Sequence, residues 1–133
     1  MRLTHLADYA VVMMTAAARR DAGERWSAAE IAGETGVPAP TAQKIMQSLA
    51  KAGLLDSQRG SAGGYTLARA VPDISLADII EAVEGPIAMT QCAETGISDC
   101  ALDQHCKVKP HMNIVGAKVR GALDAVSLAE LSQ

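Results

Sequence analysis

Aromatic side chains are scarce in this sequence of 133 residues: it has no Phe, one Trp and two Tyr, or 2% of the chain. A site built mainly from stacked rings is therefore excluded, including the stacking by which many proteins bind single-stranded nucleic acids. The motifs G-x-x-x-x-G-K, G-x-S-x-G, H-E-x-x-H and C-x-x-C are also missing from the sequence. Nothing in the sequence indicates an enzyme.

The chain also lacks a long hydrophobic run and a disulfide framework. The apolar stretch Tyr9–Ala18 has ten residues, fewer than the roughly 20 that span a bilayer. Asp8 stands where a signal peptide has its positive region, so an export signal is not expected. Three Cys, an odd number within fifteen residues, do not form a disulfide framework. These observations predict a cytoplasmic protein with reduced thiols.

The charge is unevenly distributed along the chain. The formal net charge of −3 argues at first against a nucleic-acid partner. Residues 1–70, however, carry eight Lys or Arg and six Asp or Glu, a balance of +2. Residues 71–133 carry four and nine, a balance of −5. We therefore expect a first part, residues 1–70, that approaches a polyanion and a second part, residues 71–133, with a different role.

The first half has the pattern of a helix-turn-helix. A first helix is predicted over about residues 4–20, with Thr4 as its N-cap. The sequence Ser27-Ala-Ala-Glu30 is a capping box that opens a short second helix, which ends near Gly36. A third helix is predicted over about residues 40–52. Its apolar residues face inward and leave outside the polar residues Thr41, Gln43, Lys44, Gln47 and Lys51.

Two short strands follow, around a glycine-rich tip. The strands are predicted over residues 54–58 and 65–67, and Arg59-Gly-Ser-Ala-Gly-Gly64 lies between them. The tip alone fits an ordinary flexible hairpin as well as a DNA-binding wing. Its position directly after a helix-turn-helix favours the wing, in which glycines let the backbone approach phosphate and Arg59 enters a minor groove.

The second half is predicted to contain two helices. Ser75-Leu-Ala-Asp78 caps one of them, which ends at Gly85. In the other, apolar residues recur at spacings of 4, 3, 4, 3 and 4: Val108, Met112, Val115, Val119, Ala122 and Val126. Such a stripe packs either on its own domain or, as we favour, on the same helix of a second copy in a homodimer. The capped turn that begins at Ser127 is expected to pack on the partner.

The three cysteines have the spacing C-x7-C-x5-C and lie in a segment without regular periodicity. Thiolates bind soft or borderline metals and iron–sulfur clusters. Acidic neighbours argue against a catalytic thiol, and three unrelated buried cysteines are the other alternative. We therefore predict a metal centre formed by Cys92, Cys100 and Cys106.

A structural zinc site is the rival prediction for these cysteines. His111 completes the pattern C-x7-C-x5-C-x4-H, and His105 is adjacent to the last Cys. An RNA-binding zinc finger is poorly supported, because residues 87–126 contain no aromatic residue. A protein-interaction module is a third alternative, and the acidic second half is its only support.

Motifs along essentially the whole chain resemble those of the winged-helix iron–sulfur transcription regulators that include IscR, NsrR and RirA. They are Met1-Arg-Leu-Thr4 with Asp8-Tyr-Ala10, Arg59-Gly-Ser-Ala-Gly-Gly-Tyr65, Ile74-Ser-Leu-Ala-Asp78 and the three Cys. Residues 84–90, 105–106 and 126–131 are most similar to the SUF-system iron–sulfur assembly regulators. The resemblance implies a mainly α fold with a small β-hairpin: a winged helix-turn-helix followed by a long C-terminal dimerisation helix.

The resemblance also implies a homodimeric repressor or dual regulator of cluster-assembly genes, with an iron–sulfur cluster held by the three Cys. Where IscR has its ligand His, this chain has Lys109, which cannot ligate while it is protonated. Asp8 occupies the position of the NsrR ligand, which comes from the partner's first helix. Asp8 is therefore the favoured fourth ligand, ahead of His105, His111 or a small molecule. A 4Fe–4S cluster is favoured over 2Fe–2S.

Matched positions further imply which residues touch DNA. Thr41, Gln43 and Lys44 would face the major groove, where Gln suits adenine. Lys44 and Arg59 would contact guanine or phosphate. Together with the flanking positions, the predicted DNA-binding residues are Thr41, Gln43, Lys44, Gln47, Arg59, Gly60 and Ser61.

Overall fold

A computed structural model describes residues 1–60, 63–95 and 100–133 of the protein. It confirms the mainly α fold with a small β-hairpin. The helices are α1 (His5–Ala18), α2 (Ala28–Thr35), α3 (Ala39–Lys51), α4 (Leu76–Glu84), α5 (Gln91–Thr95), α6 (Lys109–Asp124) and α7 (Leu128–Leu131). The strands are β1 (Leu55–Gln58) and β2 (Gly64–Leu67), and short 3-10 turns cover Val71–Asp73 and Asp103–His105.

Helix α1 forms the centre of the hydrophobic core. Its N-cap is Thr4, as predicted, and the Thr4 hydroxyl accepts a hydrogen bond from the N–H of Ala7 at 3.1 Å. Met13 and Met14 are fully buried, and alanines cover the rest of the buried face. Because alanine side chains are short, helices α2 and α4 can pack closely against α1.

The helix-turn-helix forms as the capping signals predict. Ser27 and Glu30 make the reciprocal hydrogen bonds of a capping box at the start of α2. Helix α2 ends at Gly36, whose φ of 84° is the left-handed conformation that glycine adopts without steric cost. Helix α3 then starts after Pro38, and Ile45 and Leu49 join the core from its inner face.

The hairpin also pairs with a residue outside it, Trp26, which the sequence did not predict. Strands β1 and β2 are antiparallel, with Leu55 opposite Leu67 and Gln58 opposite Gly64. Trp26 bridges to Tyr65 through two backbone hydrogen bonds, of 3.1 and 2.8 Å. The rings of these two residues stack, with centroids 5.9 Å apart. The wing is therefore attached to the segment before α2 as well as to α3.

The C-terminal turn packs on its own chain, so the expectation that it packs on the partner is wrong. Ser75 and Ser127 form an antiparallel bridge, in which the N–H of Leu128 donates to the carbonyl of Ile74 at 2.7 Å. The Leu128 side chain is fully buried in the same core as α1. The turn stays on its own chain because burying Leu128 in the core cluster, which also contains Ile79, removes apolar surface from water.

Helix α6 divides its predicted apolar stripe between two environments. Met112, Val119 and Val126 are half-buried on the side that faces the rest of the chain. Gly116 is buried there, and a Cβ on it would meet the backbone of residues 87 and 88 at 3.8 to 3.9 Å. The alternate positions of the stripe are exposed: Val108 (57%), Val115 (39%) and Ala122, together with Ile114 (54%).

Candidate functional site

Helix α3 presents a polar outer face beside the wing. Gln43, Lys44 and Gln47 are exposed, and Thr41 is half-buried. The opposite face is buried because it carries Ala42, Ile45, Met46 and Leu49. Amide and ammonium groups therefore project from a rigid helix, which is the arrangement that reads base edges in a major groove.

A cleft of about 570 Å³ lies between α3, the start of α2 and the wing. Gln43 and Gln47 line one wall, and Arg59 and Gly60 line another. The structure thus brings together four of the seven predicted DNA-binding residues. Thr41 and Lys44 lie on α3 outside the cleft, and Ser61 is outside the described residues.

Two glycines that follow the wing tip, Gly63 and Gly64, are required by close backbone contacts. The N–H of Gly63 donates to the carbonyl of Gly60 at 2.9 Å. A Cβ on Gly63 would lie 2.4 Å from the carbonyl oxygen of Gln58, and one on Gly64 would lie 2.9 Å from that of Trp26. A larger residue at position 63 would press on β1, and one at position 64 would press on the segment of Trp26, so both glycines are needed for the observed packing of the wing.

An arginine fork fixes α2 against α1. The Arg20 guanidinium lies 3.2 Å from Glu24, 3.5 Å from Glu30 and 3.3 Å from Glu34. Glu30 is also the acidic member of the capping box of α2. The Arg20–Glu24 spacing of four residues is readable from the sequence, whereas the contacts with Glu30 and Glu34 depend on how the two helices cross. These ion pairs link the residues after α1 to α2, and because the three glutamates are about half exposed their contribution to stability is small.

The first of the three cysteines, Cys92, lies on a short helix that the sequence did not predict, and the other two follow this helix along the chain. Cys92 is half-buried in α5, and its Sγ lies 3.2 Å from the Thr90 hydroxyl, which also caps the helix by accepting from the N–H of Ala93. Cys100 is exposed, and Cys106 is half-buried just after a 3-10 turn. None of the three described cysteines is in a disulfide. Three thiols are therefore available as ligands.

The described part of one chain does not gather these ligands. Among residues 1–60, 63–95 and 100–133, no group of three or more His, Cys, Asp or Glu side chains is close enough to hold a metal ion. Asp8 is exposed in the first turn of α1, and His105 and His111 are exposed on either side of the start of α6. The residue type fits a metal centre, since cysteine thiolates bind soft and borderline metals and three cysteines lie within one segment.

Within residues 1–60, 63–95 and 100–133, no helix is both long and apolar enough to cross a bilayer.

An exposed polar recognition helix, a glycine-rich wing and the cleft between them define a winged helix-turn-helix protein that binds duplex DNA. The model of the Rrf2 family, described as an iron-dependent transcriptional regulator, matches residues 3–133. The chain therefore belongs to the Rrf2 family of helix-turn-helix transcriptional regulators. It is a DNA-binding regulator and not an enzyme.

Named relatives include protein aau3 of Rhizobium meliloti, which is 38% identical over 126 residues that cover 94% of this chain and 76% of aau3. The helix-turn-helix regulator IscR of Photobacterium profundum is 30% identical over 131 residues, which cover 98% of this chain and 75% of IscR.

Solved structures share the fold. T. potens IscR has a TM-score of 0.71 and 27% identity, covering 98% of this chain and 85% of that one. CymR, the global cysteine regulator of B. subtilis, has a TM-score of 0.73 and 24% identity, and the match covers 99% of this chain and 96% of CymR. The likeness to CymR supports the fold alone.

Proposed function

We propose that this protein is a cytoplasmic homodimeric regulator that holds an iron–sulfur cluster through Cys92, Cys100 and Cys106 and controls genes for cluster assembly. Residues 1–70 bind DNA in this proposal, and residues 71–133 hold the cluster and form the dimer. The observation that carries it is the presence of three cysteines without a disulfide in one segment, directly before α6, in a chain with a winged helix-turn-helix.

The donor set fits an iron–sulfur cluster. Thiolates are the usual protein ligands of such clusters, and when bound the group supplies a centre sensitive to iron, oxidants and redox state. Asp8 of the partner subunit is the favoured fourth ligand, because in this chain Asp8 is an exposed carboxylate on α1. His105 and His111 are the less favoured candidates. We favour a 4Fe–4S cluster over 2Fe–2S.

The exposed stripe of α6 supports the homodimer. Val108, Ile114, Val115 and Ala122 leave apolar surface uncovered along nearly the whole helix. Pairing this stripe with the same stripe of a second copy would remove it from water and place the two α3 helices about a two-fold axis. Two such helices can read half-sites about 34 Å apart.

The outer face of α3 and the wing support the proposed DNA contacts. In the proposal Thr41, Gln43 and Lys44 face base edges, and Gln47 supports them. Arg59, Gly60 and Ser61 place the wing on the backbone or in the minor groove. The segment that contains the three cysteines runs from α5 to the start of α6. Gain or loss of the cluster would therefore shift α6 and, with it, the spacing of the two recognition helices.

Anaerobic purification tests the cofactor. We expect a brown protein with broad visible absorption and stoichiometric iron and sulfide. Cys92→Ala is expected to abolish the absorption, whereas His105→Ala is expected to retain it. Asp8→Ala is expected to change the spectrum, and Asp21→Ala, which replaces an exposed carboxylate elsewhere, serves as its matched control.

The same preparation separates the rival reading. A colourless protein with one zinc ion per chain, lost on His111→Ala, would indicate a structural Cys3His site and no sensing role. DNA mobility shift with and without the cofactor then tests regulation: equal affinity in the two forms would contradict sensing and leave a DNA-binding protein.

A further inference from the structure

An ion-pair chain crosses the junction between α4 and α6. The Arg120 Nε on α6 donates to Glu81 Oε1 on α4 at 2.8 Å. The other oxygen of Glu81, Oε2, accepts from the backbone N–H of Ile87 at 3.0 Å. Ile87 lies five residues before Cys92. One carboxylate therefore connects α6 with the backbone that leads into the cysteine segment.

The chain continues from Arg120 towards the wing. Asp78 on α4 has Oδ1 4.0 Å from Arg120 Nη2 and Oδ2 3.5 Å from Arg69 Nη1. Arg69 follows the last residue of β2 by two positions. The same carboxylate accepts from the N–H of Ser75 in the capping box of α4. Asp78 thus joins Arg120 to the base of the wing.

The Arg120 side chain is 41% exposed, whereas two of its carboxylate partners are partly buried. The Glu81 and Asp78 side chains are only 24% and 22% exposed, so water screens their contacts less than those of a fully solvated pair. Asp124 lies 3.8 Å from Arg120 Nη1 and accepts from the buried Ser75 hydroxyl at 2.7 Å. The hydrogen bond and charge of Glu81 raise the pKa of Arg120.

We infer that Arg120 is a positioning residue that couples the backbone before the cysteines to the base of the wing, through Glu81 on one side and through Asp78 and Arg69 on the other. This inference rests on the proposed function for its biological meaning. The coupling itself does not require the cofactor. A movement of Ile87 would change the contact of Glu81 with Arg120, and the contact of Arg120 with Asp78 would then change as well. The wing would thereby respond to the cysteine segment within one protomer, in addition to any movement between the two recognition helices.

Hydrogen exchange of the cofactor-free chain tests the coupling directly. Glu81→Ala breaks the link on the cysteine side and Arg120→Met breaks the centre, while both leave Arg69 unaltered. We expect each variant to speed amide exchange in residues 63–69 by about threefold to tenfold. The double variant is expected to match Arg120→Met alone, because Glu81 acts on the wing through Arg120.

Two further variants keep the result interpretable. Lys118→Gln removes an exposed cation from the outer side of the same helix, and we expect it to leave exchange at residues 63–69 unchanged. Arg120→Lys retains the charge, and we expect it to keep part of the protection from exchange at residues 63–69. It serves as the test variant if Arg120→Met is poorly folded. A merely structural role would speed exchange in α4 and α6 and leave the wing unchanged, and that result overturns the inference. Additive effects of Glu81→Ala and Arg120→Met would also overturn it.

A DNA-binding measurement separates this inference from the proposed function. The probe is a duplex selected from a random pool by the wild-type protein, and its affinity is compared between the anaerobically purified and chelator-stripped forms. We expect the ratio of the two affinities to move towards one in Arg120→Met, with visible absorption unchanged. A wild-type ratio of one, or a colourless wild type, contradicts the proposed function, whereas the exchange experiment still decides the coupling.

Discussion

The position of Leu128 gives a quantitative test of how the C-terminal turn is held. Its side chain is fully buried in the core of its own chain, and its N–H donates to Ile74 at 2.7 Å. Replacing a buried Leu by Ala costs about 2–5 kcal/mol, through lost burial and the cavity that remains. We expect a loss of about 3 kcal/mol for Leu128→Ala, because α7 is a single short turn that can shift partly into the space. That is a large part of the roughly 5–15 kcal/mol by which a domain is stable.

Urea unfolding followed by circular dichroism measures this loss. Because the contact is within one chain, we expect the same loss of unfolding free energy at two protein concentrations a hundredfold apart, with an unchanged slope against urea. Leu131→Ala, at a half-buried position of the same turn, is the matched control and is expected to cost about 1 kcal/mol. A loss for Leu128→Ala that shrinks on dilution would show that the turn packs on a partner, because a contact between subunits stabilises only the dimer. A loss under about 1 kcal/mol would refute the core position.

The remaining predictions concern the DNA-binding face and the dimer. Gln43→Ala is expected to reduce discrimination between operator bases by about 1–3 kcal/mol in competition binding, while Arg59→Ala weakens all duplexes alike and lowers the salt slope by about one; the reverse pattern would contradict the assignment. Gly64→Ala is expected to lower stability by about 1–3 kcal/mol in thermal unfolding, since its φ is 142° and a Cβ would press on a carbonyl oxygen at 2.9 Å. Gly33→Ala, a helical position with open space, is the control and is expected to stabilise slightly. Val115→Asp, on the exposed stripe of α6, is expected to shift sedimentation from dimer to monomer with helix content unchanged; a persistent dimer would place the interface elsewhere.

Local capping patterns made much of the fold predictable. The boxes Ser27–Glu30 and Ser75–Asp78 appear in the structure with both of their hydrogen bonds, as does the box that starts at Ser127. Each is a pattern of two residues three positions apart, so the sequence alone contains the whole interaction. The hairpin was predictable for a similar reason, since a glycine-rich tip between two short segments favours a turn, and its position directly after the helix-turn-helix indicated a wing.

Contacts between distant segments were not predictable. Trp26 and Tyr65, which form a bridge, are 39 positions apart. Asp78 is 42 positions from Arg120 and nine positions from Arg69, and the start of α4 lies between Arg69 and Asp78. Charged residues of both signs are common along the chain, and spacing gives no reason to select these pairs. Only the packing of α4 against α6 brings Asp78 and Glu81 within reach of Arg120.

Helix α6 shows where the two sources of information divide. The spacing of Val108, Met112, Val115 and Val119 by itself determined that this segment is a helix with an apolar stripe. The tertiary structure decided that Met112 and Val119 face their own chain, while Val108 and Val115 stay exposed. The physical reason is that periodicity fixes only which residues share a face. Which half of that face is covered depends on the packing of α4 and α5 against α6, which involves residues far apart in the sequence.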